Sequence, residues 1–102
     1  MQTRATVTTA NSAILLSKLC RHFAHKVPTN LAGAQGIIDF PFGRCRLAAD
    51  CDRLDLAIDI RTGYEALQAE QVVGEHLLRM SRDEDLAVDW VRDDQPRASR
   101  EN

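Results

Sequence analysis

A chain of 102 residues, 44% hydrophobic and 27% charged, is long enough to build one hydrophobic core without disulfides or a structural metal. Its 13 Lys and Arg against 15 Asp and Glu give a formal net charge of −2, so we expect no general attraction to nucleic acid or to an anionic membrane. The longest strongly apolar run, residues 13–16, falls far short of the ~20 residues that cross a bilayer, and the amino end lacks a signal-peptide core. The cysteines are odd in number and lack C-x-x-C spacing, which predicts reduced thiols and a cytoplasmic location.

The amino-terminal third predicts a strand and then a helix. Residues 2–8 alternate between small or apolar and polar side chains, which is typical of a strand. Thr9 or Asn11 can cap the helix that follows. Its apolar stripe at helical spacing comprises Ser12, Leu16, Leu19, Cys20, Phe23 and Val27. Pro28 is expected to end the helix, and residues 29–35 are expected to form a loop.

The central segment, residues 36–60, predicts a meander of three antiparallel strands. A type I turn fits residues 40–43, with proline second and glycine fourth. The dry faces match if a four-residue loop lets Ala49 pair with Leu54, which also pairs Leu47 with Leu56 and Cys45 with Ile58. On the wet face this register places Arg44 opposite Asp59 and Arg46 diagonal to Asp55 and Asp59. A two-residue loop would oppose like charges, which is disfavoured.

Residues 62–65 form a T-x-x-E capping box, which predicts a second helix over residues 63–80. Its apolar arc is expected to contain Ala66, Leu67, Val73, Gly74, Leu77, Leu78 and Met80. Glu70 interrupts this arc, and three interpretations are open: an edge residue that reaches solvent, an ion-paired buried group, or an acid/base group. The apolar alternation of residues 86–91 predicts a last strand, and residues 93–102 are expected to be a disordered tail after a single domain at 1–92.

The element order is therefore β-α-β-β-β-α-β. It predicts an α+β, two-layer sandwich in which both helices pack on one face of a five-stranded, mostly antiparallel sheet. The other face would carry mixed side chains and is a solvent-exposed surface or a partner site. Its members are Arg4, Thr6, Ile37, Asp39, Arg44, Arg46, Ala57, Asp59 and Asp89. Apolar spots at Ile37, Ala48, Ala57 and Val91 leave both a monomer and a homodimer across this face open.

The histidines provide the candidate ligands. His22 and His25 are three apart on the first helix, a spacing that can supply two ligands to a transition metal or hold an anion. His76 could join them only if the two helices bring their flanks together. The alternative is that Arg21, His22, His25 and Lys26, with Lys18, form a basic end that complements the helix dipole.

The cysteines and three aspartates are the other residues that could carry chemistry. Cys45 faces the core in the predicted register, so a buried thiol is favoured over a nucleophile assisted by His22 or Arg44. Cys51 lies in a hairpin loop and is expected to be the most reactive cysteine. Asp55, Asp59 and Asp89 resemble a carboxylate cluster, but Arg44 and Arg46 neutralise part of it.

Residues 19–26 (LCRHFAHK), residues 36–45 (GIIDFPFGRC), and the pair HLLRM and LAVDW at 76–80 and 86–90 resemble the bacterial family known as domain of unknown function 2218. The resemblance covers about residues 4 to 92. It implies no catalytic residues, and it associates the chain with siderophore-interacting flavoproteins.

Together these observations predict a small cytoplasmic binding or accessory module without a cofactor, linked through the resemblance to siderophore-iron handling. Its partner would be a protein or a small ligand, with a siderophore-interacting flavoprotein as the named example. Ligand or partner candidates are His22, His25, Lys26, Arg44, Cys45 and His76. The alternative is a metal- or thiol-dependent enzyme that uses His22 and His25 with Cys45 or His76, in which a transition metal binds at His22 and His25.

Overall fold

A computed structural model describes residues 1–82 and 84–93. The strands are β1 (Gln2–Thr8), β2 (Thr29–Ala32), β3 (Gln35–Phe40), β4 (Gly43–Asp50), β5 (Arg53–Asp59) and β6 (Val91–Asp93), and the helices are α1 (Ser12–Phe23) and α2 (Gly63–Met80). The strands form one antiparallel six-stranded sheet in the order β2-β3-β4-β5-β1-β6. The chain is thus an α+β protein, and the order of its elements along the chain differs from the predicted β-α-β-β-β-α-β by one additional strand, β2. The predicted tail is wrong at Asp93, which lies in β6, and its other residues, 94–102, lie outside the described residues.

The prediction of five strands is wrong because residues 29–32 pair as a strand instead of forming a loop. β2 forms a hairpin with β3, in which Thr29 lies opposite Ile38 and Ala32 opposite Gln35. The turn between them contains Gly33 at φ 61°, a conformation that glycine adopts without steric cost. β2 lacks apolar alternation because three of its four residues are exposed at the edge of the sheet.

The register of the meander is confirmed. Cys45 lies opposite Ile58, Leu47 opposite Leu56, and Ala49 opposite Leu54. The predicted four-residue loop is wrong, because Asp50 also pairs with Arg53 and leaves a turn of only two residues, 51–52. The register is the predicted one, so this shorter turn does not oppose like charges. This pairing fixes which side chains of β4 and β5 face away from the helices.

Helix α1 ends at Phe23, four residues before the position predicted from Pro28. The backbone amides of Lys26 and Val27 both donate to the Phe23 carbonyl and close the helix there. At its start, Asn11 makes no side-chain cap. The Thr9 hydroxyl accepts from the Asn11 amide, at 3.0 Å.

Helix α2 has the predicted bounds. The Thr62 side chain accepts from the Glu65 amide, while the Glu65 carboxylate accepts from the Arg61 amide rather than from the capping residue. The predicted apolar arc is rotated, since Leu67 and Leu78 are 47% and 45% exposed. The buried face consists of Ala66, Ala69, Val73, Gly74 and Leu77. Three of these five residues, Ala66, Ala69 and Gly74, are small, and Leu67 and Leu78 lie outside this face.

The carboxyl-terminal segment differs from the predicted strand at 86–91. Only Val91–Asp93 pairs, with Val91 opposite Arg4 of β1. Residues 86–90 have no regular hydrogen bonding, but Leu86, Val88 and Trp90 still pack against the core. Trp90 lies over Gly74. The indole Nε1 is about 3.4 Å from the position that a β-carbon would occupy at Gly74, so the glycine lets the indole lie directly against the helix.

Glu70 is an ion-paired, largely buried group. Its carboxylate accepts from the fully buried Thr3 hydroxyl at 2.7 Å and from two nitrogens of Arg92 at 2.8 and 2.9 Å. The bond from Arg92, followed by the bond from Thr3, lowers the pKa of Glu70 against the opposing effect of burial. Glu70 therefore ties α2 to both β1 and β6.

Both helices pack on the same face of the sheet. The buried side chains of β1, β3, β4 and β5 form one cluster with those of α1 and α2. In residues 1–82 and 84–93, no helix lies against the opposite face, which we call the open face. Neither helix is long and apolar enough to cross a membrane, as far as the described residues extend.

Candidate functional site

The open face contains a trough of about 630 Å³ that runs across four strands and reaches the edge strand β2. Most of its surface is apolar because alanines occupy positions where an antiparallel sheet usually exposes long polar side chains. The open-face side chains at the trough are Arg4, Thr6, Asn30, Ala32, Gln35, Ile37, Arg46, Ala48, Asp55 and Ala57. A shallower depression of about 380 Å³ lies on the other side of Arg4, towards Asp89 and Val91.

One row of cross-strand partners organises the trough. Ala57 of β5 pairs with Arg4 of β1 on one side and with Arg46 of β4 on the other. The row continues from Arg46 to Ile37, and on to Asn30 of β2. Two arginines thus flank a methyl group, and a medium-sized apolar side chain lies beyond them.

Ion pairs occupy most charges on the open face. They join Arg44 to Asp39 at 2.7 Å, Arg46 to Asp59 at 2.9 Å, and Arg53 to Asp55 at 3.2 Å. The Thr6 hydroxyl also donates to Asp55, at 3.0 Å. The predicted partial neutralisation of the carboxylates is present, although Arg44 pairs with Asp39 of β3 and leaves Asp59 to Arg46. Arg44 is therefore an ion-paired surface residue of the open face.

On the helical side, the structure brings His22 and His76 together. Their ring centroids lie 4.8 Å apart, and Phe23 packs within 4.9 Å of each. Phe40 extends the cluster, with an edge-to-face contact to Phe23 at 4.8 Å. The flanks of the two helices therefore meet, which is what His76 needs in order to lie beside His22.

The environments of the two rings differ. His76 Nδ1 lies 2.6 Å from the Val72 carbonyl, which can only accept, so this nitrogen carries a proton and donates. His22 Nε2 is buried and has no hydrogen-bond partner among the described residues. Burial lowers the pKa of His22, and the nearby charges of His76, Lys26, His25 and Arg79 lower it further. Both features favour a neutral His22 in the folded protein.

A pH-dependent loss of stability follows from His22. Above about pH 6.5, the ordinary histidine pKa, His22 is neutral in both states and contributes no pH dependence. Below that value the unfolded chain binds a proton that folded His22 resists, so stability falls as the pH falls towards the lowered folded pKa. Urea unfolding between about pH 7 and about pH 5 should show a smaller loss in His22→Gln protein than in the wild type. His25→Gln, a change at an exposed residue of the same segment, is the control, and equal slopes in all three proteins would contradict the prediction.

The other predicted site residues lie apart from this pair. His25 and Lys26 are exposed in the turn after α1. Cys45 is fully buried, and burial, with smaller effects of Cys20 and Asp59, raises its pKa to about 12. A thiol that remains protonated and shielded opposes a nucleophilic role. In the described part of the chain, no group of three or more His, Cys, Asp or Glu could hold a metal ion.

Cysteine alkylation tests the burial of Cys45. Cys51 is exposed at the β4–β5 turn, whereas Cys20 and Cys45 are buried. Iodoacetamide should therefore modify Cys51 first in native protein and reach the other two only after urea unfolding. Peptide mass spectrometry reports the order, and modification of Cys45 before Cys51 would contradict this packing.

Sequence reasoning identified the open face but not the trough. Arg4, Arg46 and Ala57 have no individual signature, and they become neighbours only when β1, β5 and β4 are placed side by side. The predicted register of β4 and β5 implies the pairing of Arg46 with Ala57 but not the pairing of Ala57 with Arg4. The adjacency of β1 to β5 had no signal in the sequence.

Comparison with known proteins places the chain in a family. A family model described as "Uncharacterized protein conserved in bacteria (DUF2218)" matches residues 4–91. The chain is also similar to a solved structure, the NMR structure of PA4090 from Pseudomonas aeruginosa, with 29% sequence identity, 88% of this chain and 94% of that chain covered, and a TM-score of 0.74. No curated protein matches the chain. Since the family model spans most of its length, the chain belongs to the DUF2218 family of bacterial proteins.

Proposed function

We propose that this chain is a small binding module without catalysis of its own and that its ligand lies in the trough of the open face. The observation that carries the proposal is the trough itself, a largely apolar depression on a sheet face that no described helix covers. Its volume of about 630 Å³ falls within the range of small-molecule sites. A few polar groups at its walls, Arg4, Arg46 and Asp55, would orient a ligand.

The other clusters support catalysis less well. Cys45 is buried with a raised pKa, and His76 uses one ring nitrogen on the backbone. The open face, in contrast, presents its groups to solvent and needs no rearrangement to receive a ligand. A concave, largely preformed and mostly apolar site with a few polar groups is the usual form of a small-molecule site.

N-phenyl-1-naphthylamine, a neutral fluorescent probe with an apolar aromatic body, tests the trough. We expect it to bind the wild-type protein with enhanced fluorescence, and Ala57→Gln to weaken binding about 10-fold or more because the longer side chain fills the trough floor. Ala13→Gln is the matched control, since Ala13 is exposed on α1, away from the open face. Circular dichroism and thermal melting should show that both variants remain folded.

Two results would overturn the proposal. One is probe binding that Ala57→Gln leaves unchanged. The other is absence of binding to the wild-type protein. If light scattering then shows a dimer that Ala57→Gln converts to monomers, the open face is an interface between two copies.

For the partner, we propose a siderophore-interacting flavoprotein in the cytoplasm, which the ligand-loaded module would assist. This part of the proposal is supported by the family resemblance. Titration of a purified siderophore-interacting reductase with the chain, followed by sedimentation velocity, should give a complex. Two unchanged sedimentation boundaries at micromolar concentrations would remove this partner.

The proximity of His22 and His76 favours one second candidate, a metal-dependent function. A metal at this pair would have two described protein ligands, fewer than the three or four of known zinc sites. Calorimetric titration with Zn²⁺ and Ni²⁺ distinguishes the two candidates. Stoichiometric binding that is lost in the His22→Ala, His25→Ala double variant would favour the metal, and the absence of heat would leave the binding module.

A further inference from the structure

The charges around the trough specify the chemistry of its ligand, an inference that rests on the proposed function. We infer that the ligand joins an apolar body to an anionic group, such as a carboxylate, sulfonate or phosphate, which Arg4 and Arg46 hold above Ala57.

The geometry places both arginines at one point. Arg4 and Arg46 each pair with Ala57 from opposite sides, so their α-carbons lie about 10 Å apart, twice the spacing between strands. Both side chains belong to the open face, and both residues are exposed. An arginine side chain extends far enough for both guanidinium groups to reach an anion between them. The methyl group of Ala57 leaves that space unfilled.

The distribution of ion pairs leaves this point positively charged. Among the arginines of the open face, Arg44 forms a salt bridge with Asp39, and Arg53 forms salt bridges with both Asp50 and Asp55. Within residues 1–82 and 84–93, Arg4 has no salt-bridge partner. Arg46 contacts Asp59 through Nη1 at 2.9 Å. A guanidinium group has five N–H donors, so Arg46 can also donate to a second anion. A guanidinium group prefers to donate two parallel bonds to one oxyanion, so Arg4, without a described salt-bridge partner, is suited to bind an anion in this way.

The carboxylates near the trough do not cancel this charge. Asp55 accepts from Thr6 and Arg53. Asp89 lies at the smaller depression on the far side of Arg4 and forms no ion pair with it. An anion in the trough would therefore meet Arg4 and Arg46 first, with its apolar part over Ala48 and towards Ile37.

Two probes that share one aromatic body test this inference. 8-Anilino-1-naphthalenesulfonate carries a sulfonate, and N-phenyl-1-naphthylamine is the same body without it. We expect the wild-type protein to bind the sulfonate about 10-fold more tightly at low ionic strength, an advantage that falls as salt screens the arginines. Arg4→Gln should lower the ratio of the two affinities about 5-fold or more, and Arg21→Gln, at an exposed arginine of α1, should leave it unchanged.

The outcomes separate the two proposals. Equal affinity for both probes, with binding still sensitive to Ala57→Gln, would overturn the anionic ligand and retain the trough. A ratio that Arg4→Gln does not alter would also overturn the anion site. If neither probe binds the wild-type protein, the proposed function itself is overturned. A lower ratio in Arg4→Gln, together with a weaker salt dependence, is the result that the arginine pair predicts.

Discussion

Replacing Gly43 with alanine is expected to lower the unfolding free energy by about 3 kcal/mol, the sum of backbone strain and steric overlap. Gly43 has φ 155°, a region that residues with a side chain rarely adopt. A β-carbon there would overlap the Asp59 carbonyl oxygen and lie 2.9 Å from the carbonyl carbon. Because these are backbone atoms of β5, no side-chain rotation relieves the contact. Urea unfolding measures the loss.

Gly33→Ala separates the two contributions. Gly33 also has a positive φ, 61°, but nothing lies within 4 Å of its ideal β-carbon. It should therefore show conformational strain alone, about 1 kcal/mol. Equal losses in the two variants would show that Gly43 does not approach β5 as closely as the fold requires.

Removing the Glu70 carboxylate is the second large effect. Glu70→Ala leaves the buried Thr3 hydroxyl without its acceptor and removes both bonds from Arg92, so we expect a loss of about 2–3 kcal/mol near pH 7. Arg92→Ala should cost less, because the arginine side chain is 39% exposed and solvent screens its ion pair. Glu75→Ala, at an exposed glutamate of the same helix, is the control.

The pH dependence of this effect follows from the lowered pKa of Glu70. The stabilisation is fully present above the unfolded pKa of about 4.3 and is lost as the pH falls through the lower folded pKa. The difference between wild type and Glu70→Ala, measured by urea unfolding, should therefore shrink in strong acid. A loss in Glu70→Ala no greater than in Glu75→Ala would contradict the buried ion pair.

Local signals predicted much of this fold. The capping box at Thr62 gave the start of α2, and the helical spacing of its apolar residues gave its extent, because both signals depend on neighbouring residues alone. The β4–β5 register followed from matching Leu47 with Leu56, since a slip by one residue would expose the dry face.

The remaining errors have a tertiary origin. Strand β2 exists through its pairing with β3, and the four residues of β2 carry too few apolar side chains to predict it. The face of α2 was misassigned because Leu67 and Leu78 are apolar yet exposed, whereas the small Ala69 is buried. Hydrophobicity alone does not show which side of a helix approaches the sheet.

The same limit applies to the candidate site. His22 and His76 were placed on helix flanks, but their distance depends on how α1 and α2 pack. The trough depends on Arg4, which enters the row with Ala57 only because β1 lies beside β5. Strand order is set by the whole sheet, so no short segment could predict it.

Mapping the neutral probe onto the protein by NMR tests the central claim most directly. Titration of isotope-labelled chain with N-phenyl-1-naphthylamine, followed through backbone amide shifts, should perturb residues at the trough, above all Arg46, Ala48 and Ala57. The amides around His22 and His76 should remain unchanged. Perturbations concentrated at the histidines, or spread over the exposed leucines of α2, would contradict a binding site on the open face.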